Sequence, residues 1–256
     1  MVDSNSPIRN DGGDIPNVIQ AVSPSDVMYR SSPEYYFRLG RQAMETIQGS
    51  VALVGLSKIE RILDMPSGHG RVLRFLRATY PHARIDACDI DVDAVDFCAR
   101  TFDARPVYST PNLAAVPLTE SYDLIWCGSL LTHVHADQWR AVLELFGEHL
   151  REGGLMISTT HGRYHAGRLR SKETKRGLSD WAVKAVLSDY DRFGFGFQNY
   201  SGQEGYGISL SSAPWVCAQI VGTKGLRLAG YQERGWADHQ DVVVGIKDSR
   251  EATYPH

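Results

Sequence analysis

Two acidic residues and two glycines follow apolar segments early in the chain. Asp64 ends the segment that begins at Ile62, and Gly68 and Gly70 lie in the loop after it. Asp89 ends a second apolar segment, 19 residues after Gly70. Because glycine has no Cβ, a ligand can lie against the backbone of such a loop, and a carboxylate at the next strand end can bind both hydroxyls of a ribose. The spacing is typical of the first two strands of a nucleoside-binding α/β sheet.

The loop differs from the dinucleotide-binding pattern. That pattern needs a third glycine three residues after Gly70, where this chain has Leu73. The carboxylate of Asp64, inside the strand end, suits a cationic ligand better than a phosphate. An NAD-dependent oxidoreductase is therefore disfavoured, although it stays an alternative.

Strand-like and helix-like segments alternate around these residues. Strands are predicted over residues 61–65, 84–89, 106–109, 122–127, 155–159, 226–231 and 241–246. Helices are predicted after Ser31-Ser32-Pro33, over 69–79, over 92–101 and along the apolar stripe of 139–150. The alternation predicts a Rossmann-like α/β fold with a doubly wound, mainly parallel seven-stranded sheet and an antiparallel C-terminal hairpin.

Length and composition favour one domain. A chain of 256 residues that is 43% hydrophobic can bury one substantial core. Residues 1–25, rich in Asn, Asp, Ser, Pro and Gly, predict a mobile N-terminal tail. Residues 26–256 predict a single domain, and 160–225 are an insertion between its fifth and sixth strands.

Charge and cysteine usage exclude several classes of protein. The net charge of −3 gives no overall field that would attract nucleic acid or an anionic membrane. The four cysteines have no CxxC spacing, and no Asp, His or Cys cluster has metal-ligand spacing, so reduced thiols and no metal site are predicted. Without a signal peptide or membrane span, we expect a cytoplasmic protein.

The loop and its flanking strands resemble those of class I S-adenosylmethionine-dependent methyltransferases. The usual loop of that family is an acidic residue, a variable residue and then three glycines at alternate positions. Asp64, Gly68 and Gly70 fit it, and Pro66 stands where the first glycine usually is. The resemblance extends over about residues 60–160 and includes the reversed C-terminal hairpin.

The resemblance implies a methyltransferase that uses S-adenosylmethionine. It places the loop of 67–70 under the methionine and ribose, Asp89 on the ribose hydroxyls, Ile90 beside the adenine, and the backbone of 127–128 near the methionine amine. The complete predicted cofactor site is Asp64, Pro66, Ser67, Gly68, His69, Gly70, Asp89, Ile90, Ser109, Cys127 and Gly128.

Two histidines are candidate catalytic residues. Methyl transfer to a hydroxyl requires removal of a proton, and histidine is suited to that role. His133 follows the fourth predicted strand and His161 follows the fifth. Packing or capping roles are the alternative for both. Glu233 and His239, near the turn between the last two strands, are candidates for a pocket wall or for surface residues.

The insertion carries two further patterns. Six basic residues lie within 14 positions and could bind an acidic acceptor, bind a nucleic-acid backbone or form a solvated helix face. They are Arg163, Arg168, Arg170, Lys172, Lys175 and Arg176. Phe193, Phe195 and Phe197 alternate with glycines, so in a strand their rings would share one face, as a lid or as a small separate core.

The predicted function is O-methylation of a small-molecule or glycan-like hydroxyl, with the insertion as acceptor site. Gly128-Ser129-Leu130-Leu131 stands where an Asn/Asp-Pro-Pro-Tyr/Phe motif would follow the fourth strand, so by the resemblance amino methylation of a nucleobase is disfavoured. A nucleic-acid methyltransferase and a non-catalytic nucleoside sensor remain alternatives. The acceptor and the oligomeric state are left open.

Overall fold

The computed structural model of the protein describes residues 17–248. The first part runs as α1 (Val27–Ser31), α2 (Pro33–Val54), β1 (Arg61–Asp64), α3 (Leu73–Thr79), β2 (Arg84–Asp89), α4 (Val92–Phe102), β3 (Arg105–Tyr108), β4 (Tyr122–Cys127), α5 (Ala136–His149) and β5 (Leu150–Thr160). The second part runs as α6 (Arg163–Arg170), α7 (Asp180–Phe193), β6 (Phe195–Tyr200), β7 (Gln203–Ser211), α8 (Ala213–Gly222), β8 (Leu226–Trp236) and β9 (Gln240–Lys247).

Seven strands form one sheet in the order β3-β2-β1-β4-β5-β9-β8. The first five are parallel, whereas β9 pairs antiparallel with both β5 and β8. The Rossmann-like fold predicted from the sequence is confirmed. Strand order reverses between β1 and β4, and ligands of such sheets bind outside the carboxyl ends of the strands at this point. The loops after β1, β2, β4 and β5 all leave the sheet at that edge.

Two apolar layers hold the sheet between helices. Because successive residues of a strand point to opposite faces, Ile62 packs into the layer with α2, α3 and α4, and Leu63 packs into the layer with α5 and α8. Both side chains are fully buried. Burial of each stabilises the fold by about 1.5–3 kcal/mol, so the end of β1 is a rigid support for its loop.

The helix predicted after Ser31-Ser32-Pro33 is α2. The Ser32 hydroxyl caps it by accepting the Tyr35 N–H, Pro33 occupies its first turn, and Gly55 ends it with a φ of 70°. Its predicted apolar face, which includes Tyr36 and Ile47, is buried. This helix covers the apolar layer beneath the loop of residues 66–70, which we call the cofactor loop after its predicted role.

The predicted N-terminal tail lies only partly within the described residues, since 1–16 fall outside them. The remainder, 17–25, contacts the domain. Val18 packs against the α2 layer, and the carbonyl of Ile19 accepts a hydrogen bond of 3.0 Å from Nη1 of the fully buried Arg74. This part of the segment is therefore held against the helix that follows the cofactor loop.

The insertion has its own small core and a two-stranded antiparallel sheet of β6 and β7. Strand β7 is joined to the main domain by three backbone hydrogen bonds of 2.9 Å, in which Gly207, Ser209 and Ser211 donate to the carbonyls of His133, Thr132 and His161. These bonds hold the insertion above the carboxyl ends of β4 and β5.

The expectation that three phenylalanines share one strand face is wrong for Phe193. That residue ends α7 and is 63% exposed, because Gly194 stops the helix with a φ of 76° before β6 begins. Phe195 and Phe197 do share a face of β6, and both pack against the main core beneath α5 and α8. Their rings belong to that core, with Phe195 stacked on Trp215 at 4.4 Å.

Candidate active site

The loop after β1 is held by backbone hydrogen bonds. Pro66 follows a cis peptide bond, the Ser67 N–H donates to the Cys88 carbonyl at 3.0 Å, and the Gly70 N–H donates to the Ser67 carbonyl at 3.0 Å. Gly68 and Gly70 have φ values of 47° and 79°, a region that favours glycine. The backbone conformation of the loop therefore favours glycine at both positions.

The two glycines serve different purposes. A Cβ added to Gly68 would meet open space, which fits the prediction that a ligand approaches the backbone here. A Cβ added to Gly70 would collide with the ring of Phe102 at the end of α4. The small size of Gly70 is therefore needed for packing against α4, whether or not a ligand also lies against its backbone.

The carboxylate of Asp64 is buried at the end of β1, and neither oxygen has a hydrogen-bond partner among the described residues. Burial raises the pKa of Asp64 well above its usual value, and the neighbouring Asp89 raises it further. A buried carboxylate without partners is costly, and a cationic ligand would offset that cost. The residue therefore fits the positively charged groups of S-adenosylmethionine.

The carboxylate of Asp89, at the end of β2, holds the loop after β1 in place. Its Oδ2 accepts the Gly68 N–H at 2.8 Å, and its Oδ1 accepts the Asp91 N–H at 3.0 Å. An ionised carboxylate has about four lone-pair sites, so about two remain for other donors. This capacity matches the two hydroxyls of a ribose.

Three other predicted cofactor residues surround these carboxylates. The His69 Nε2 lies 3.2 Å from the carboxylate of Asp93, and Ile90 is 58% exposed directly after β2. The Ser109 N–H donates to the Asp89 carbonyl at 2.8 Å. The structure thus brings Ile90 and Ser109 next to Asp89. It places the ring of His69 against Asp93 in the first turn of α4.

Cys127 and Gly128 end β4 beside Asp64. Cys127 is fully buried, and burial raises the pKa of its thiol to about 12, so the side chain is neutral. A Cβ on Gly128 would lie 2.8 Å from the indole nitrogen of Trp126. Only a glycine lets the chain turn here against that ring, which leaves backbone as the polar surface at this point.

His133 lies where β4, β5 and the insertion meet. Its Nδ1 donates to the Gly207 carbonyl at 2.7 Å, and its ring stacks on Tyr206 at 4.9 Å. Because a carbonyl only accepts, Nδ1 carries the proton and Nε2 of the neutral ring is unprotonated. Burial lowers the pKa of His133, and the hydrogen bond to Gly207 offsets part of this.

His161 belongs to a cluster that the sequence analysis recognised only in part. It stacks on His165 at 3.8 Å, and its ring lies 6.2 Å from His133 and 6.3 Å from His239. His165 was missed, and the only available signal was its position four residues after His161, at helical spacing. We call these four side chains the histidine cluster.

The histidine cluster is held uncharged. Burial is the largest cause that lowers the pKa of each member, and it brings that of His165 to about 3. Neither nitrogen of His165 has a hydrogen-bond partner among residues 17–248, nor does Nδ1 of His161. His165 is fully buried and His161 is 3% exposed, so the protein encloses these unpartnered nitrogens.

The cluster predicts a pH dependence of stability. A folded-state pKa below the unfolded value means that the unfolded chain binds more protons between the two values. The contribution of neutral His165 to the free energy of unfolding is therefore fully present above the ordinary histidine pKa of about 6.5. It is lost as the pH falls toward about 3. We expect His165→Phe to reduce the dependence of unfolding free energy on pH by up to about 1.4 kcal/mol per pH unit below pH 6.

Urea unfolding of both proteins at several pH values measures this effect. Burial raises the pKa values of Asp64 and Asp241, so these two residues make the protein more stable as the pH falls, opposite to His165. They are present in both the wild type and the variant. The difference between the two curves therefore isolates His165. Identical slopes would contradict the prediction.

Most of the basic residues in the insertion are neutralised by ion pairs. Arg163 pairs with Glu233 at 2.6 Å, Arg168 with Glu173 at 3.1 Å and Lys175 with Asp180 at 2.8 Å. Arg170 pairs with Asp191. These contacts favour the interpretation of a solvated helix face for four of the six cations. Glu233 is the partner of Arg163 at the surface, which favours the surface alternative for Glu233 over a pocket wall. They weaken the case for a nucleic-acid surface.

Residues 17–248 include neither a membrane-spanning helix nor a cluster of metal ligands. No helix in this range is long and apolar enough to cross a membrane. No group of three or more His, Cys, Asp or Glu side chains there could hold a metal ion, and this includes the histidine cluster.

A family model described as a methyltransferase domain matches residues 63–156. This range includes the cofactor loop, Asp89 and His133. No curated protein matches the sequence.

Solved structures of methyltransferases share the fold. An S-adenosylmethionine-dependent methyltransferase from Clostridium acetobutylicum ATCC 824 has a TM-score of 0.60 at 13% identity, over 86% of this chain and 99% of its own. An O-methyltransferase family protein from Burkholderia thailandensis has a TM-score of 0.52 at 15% identity, over 82% and 58%. Human N-acetylserotonin methyltransferase, in complex with S-adenosylmethionine, has a TM-score of 0.52 at 15% identity, over 88% and 60%.

Fold, site and family match together define the class of protein. Residues 63–156 carry a methyltransferase domain, and the fold is that of solved S-adenosylmethionine-dependent methyltransferases. The resemblance inferred from the sequence is confirmed at this level.

Proposed function

We propose that this enzyme methylates a hydroxyl oxygen of a small-molecule or glycan-like acceptor held between the cofactor loop and the insertion. The observation that carries the proposal is the hydrogen bond from His133 Nδ1 to the Gly207 carbonyl at 2.7 Å. It fixes the ring and leaves Nε2 as a proton acceptor next to the predicted cofactor site. Tyr206 stacks on His133, and its pKa is raised by burial and, to a smaller extent, by the negative charge of Asp89, which supports the nearness of the two sites.

The proposed roles of the cofactor residues follow from their contacts. Asp89 would bind the ribose hydroxyls while it keeps Gly68 in place, and the unpartnered carboxylate of Asp64 would face the positive charge of the cofactor. The backbone at Gly68 and Gly128 would lie against the methionine portion. S-adenosylmethionine supplies an electrophilic methyl group on a sulfonium.

The proposed role of His133 is to remove the proton of the acceptor hydroxyl as the oxygen attacks. The ring must be neutral for this, and its lowered pKa keeps it neutral at physiological pH. The aromatic rings of Tyr200 and Tyr206, which lie 6.0 and 4.9 Å from that of His133, would orient the acceptor. His161 is the second candidate base, and its burial makes it the less accessible of the two.

His133→Ala is expected to lower kcat by about 10²- to 10⁴-fold, the usual contribution of a general base. Transfer of a labelled methyl group from S-adenosylmethionine to a panel of phenols and sugars measures this effect. The affinity for S-adenosylmethionine should stay within about twofold of wild type, because His133 contacts the acceptor side only. The exposed His82, changed to Gln, is the matched control and should retain full activity.

The pH profile separates a base from a positioning role. In the wild-type enzyme kcat/KM should rise with pH through the pKa of His133, and this limb should be absent from the residual activity of the variant. Wild-type rates in His133→Ala would exclude the proposed base. Cofactor binding without transfer to any hydroxyl would favour the sensor alternative.

A further inference from the structure

One cation of the insertion differs from its neighbours. Arg176 lies in the loop between α6 and α7, and no carboxylate pairs with it among residues 17–248. Lys172, the other unpaired member of the basic run, lies at the exposed end of α6. Arg176 is accessible to solvent, so it could meet a ligand without displacing protein groups.

The loop of Arg176 lies close to the side chains around the proposed base. The neighbouring Gly177 packs on Tyr200, where an added Cβ would lie 3.6 Å from the ring. The Tyr200 hydroxyl in turn lies 3.4 Å from Nδ1 of His133. Two contacts therefore connect the backbone beside Arg176 to the proposed base.

The positive charge of Arg176 acts on the whole histidine cluster. It lowers the pKa of His133, His161, His165 and His239, although burial is the larger cause for each. Neutral imidazoles cannot compensate a guanidinium charge. No carboxylate among residues 17–248 forms an ion pair that would neutralise the charge of Arg176.

Arg176 also has an unfavourable backbone conformation. Its φ of 50° lies in the left-handed region, which is unfavourable for a residue with a Cβ. Its N–H donates to the Thr174 hydroxyl at 3.2 Å, which holds the turn, but no hydrogen bond or ion pair of its side chain within the described chain accounts for the guanidinium.

We propose that Arg176 binds an anionic group, a carboxylate or a phosphate, of the acceptor, so that the preferred substrates are hydroxyl compounds that carry an acid. A guanidinium binds either group through two parallel N–H donors. The inference rests on the proposed O-methylation, because it assumes that the acceptor lies against His133 and Tyr200. It narrows the acceptor from any small molecule or glycan to an acidic one.

Paired acceptors test the inference. Each pair has an acidic member and a neutral counterpart, namely 4-hydroxybenzoate with 4-hydroxybenzamide, glucuronate with glucose, and glucose 6-phosphate with glucose. Methyl transfer gives kcat and KM, and calorimetry on protein saturated with S-adenosylhomocysteine gives acceptor affinity independently of turnover. The variants are Arg176→Gln, Arg176→Lys and, as the matched control, Lys172→Gln.

In wild type we expect at least one acidic member to bind about 10- to 100-fold more tightly than its neutral counterpart. Arg176→Gln should remove this preference through KM or Kd, with kcat little changed, and Arg176→Lys should restore part of it. Lys172→Gln should behave as wild type. The pair that shows the preference distinguishes a carboxylate from a phosphate.

Three results would overturn the inference. They are equal binding of acidic and neutral members, an acid preference that survives in Arg176→Gln, and no binding of any acidic member up to about 10 mM, a free energy of only about −2.7 kcal/mol. Failure of the proposed chemistry looks different. Arg176-dependent binding of an acid without methyl transfer would retain the anion site and reject O-methylation of that class. Methylation of hydroxyls without acid preference would retain the proposed O-methylation and reject the anion site.

Discussion

Asp89→Ala is expected to raise the dissociation constant for S-adenosylmethionine by about 100-fold. Two hydrogen bonds from ribose hydroxyls to a charged acceptor contribute about 1.5 kcal/mol each, and about 3 kcal/mol corresponds to that factor. The substitution also frees the Gly68 N–H, which donates to Oδ2 at 2.8 Å, so the loop loses a support at the same time. Isothermal titration calorimetry measures the affinity.

Two further variants separate these effects. Asp89→Asn keeps one carbonyl oxygen as an acceptor but loses the charge, so it should lie between wild type and Asp89→Ala. Asp96→Ala removes an exposed carboxylate from the following helix α4 and should leave the affinity unchanged. If Asp89→Ala binds S-adenosylmethionine with unaltered affinity, the carboxylate does not bind the ribose and only holds the loop to the end of β2.

Arg74→Met is expected to lower the free energy of unfolding by about 3 kcal/mol, because buried acceptors lose their donors. The guanidinium is fully buried and donates from Nε to the Gly70 carbonyl at 3.1 Å, from Nη1 to Ile19 and from Nη2 to the Tyr36 hydroxyl at 3.4 Å. It also lies 5.1 Å from the ring of Phe102. One side chain thus joins residues 17–25, α2 and the cofactor loop.

Urea unfolding and hydrogen exchange test the role of Arg74. Exchange of amides in residues 17–25 should accelerate in the variant, and the affinity for S-adenosylmethionine should fall several-fold as the loop loosens. Arg38→Met, which removes an exposed arginine stacked on Tyr35, is the control and should change stability by no more than about 0.5 kcal/mol. Equal stability of Arg74→Met and wild type would mean that apolar packing by methionine replaces the lost hydrogen bonds.

The cofactor side of the site could be predicted because its parts are local. Asp64, Gly68 and Gly70 lie within seven residues of one another, and the backbone conformation of a loop depends chiefly on its own sequence. Asp89 follows from the next strand, since parallel neighbours end at the same edge of the sheet. What the local pattern could not reveal is that Gly70 is required by Phe102, a residue 32 positions away.

The acceptor side could be predicted only in part. The insertion has short apolar runs and glycines, a pattern that does not distinguish the end of a helix from the start of a strand, so the sequence did not reveal that Phe193 ends α7. The ion pairs of Arg163 and Arg170 join residues 70 and 21 positions apart, and no spacing rule predicts them.

By itself the sequence determined the alternation of strands and helices, the glycine loop and the two strand-end carboxylates, because periodicity and loop chemistry act over a few residues. The tertiary structure alone decided that His165 and His239 join His133 and His161, and that Arg176 has no acidic partner within the described chain. These side chains come from segments separated by up to about 100 positions. Their juxtaposition depends on how the insertion packs on the sheet, and burial and charge can be assessed only after that packing is known.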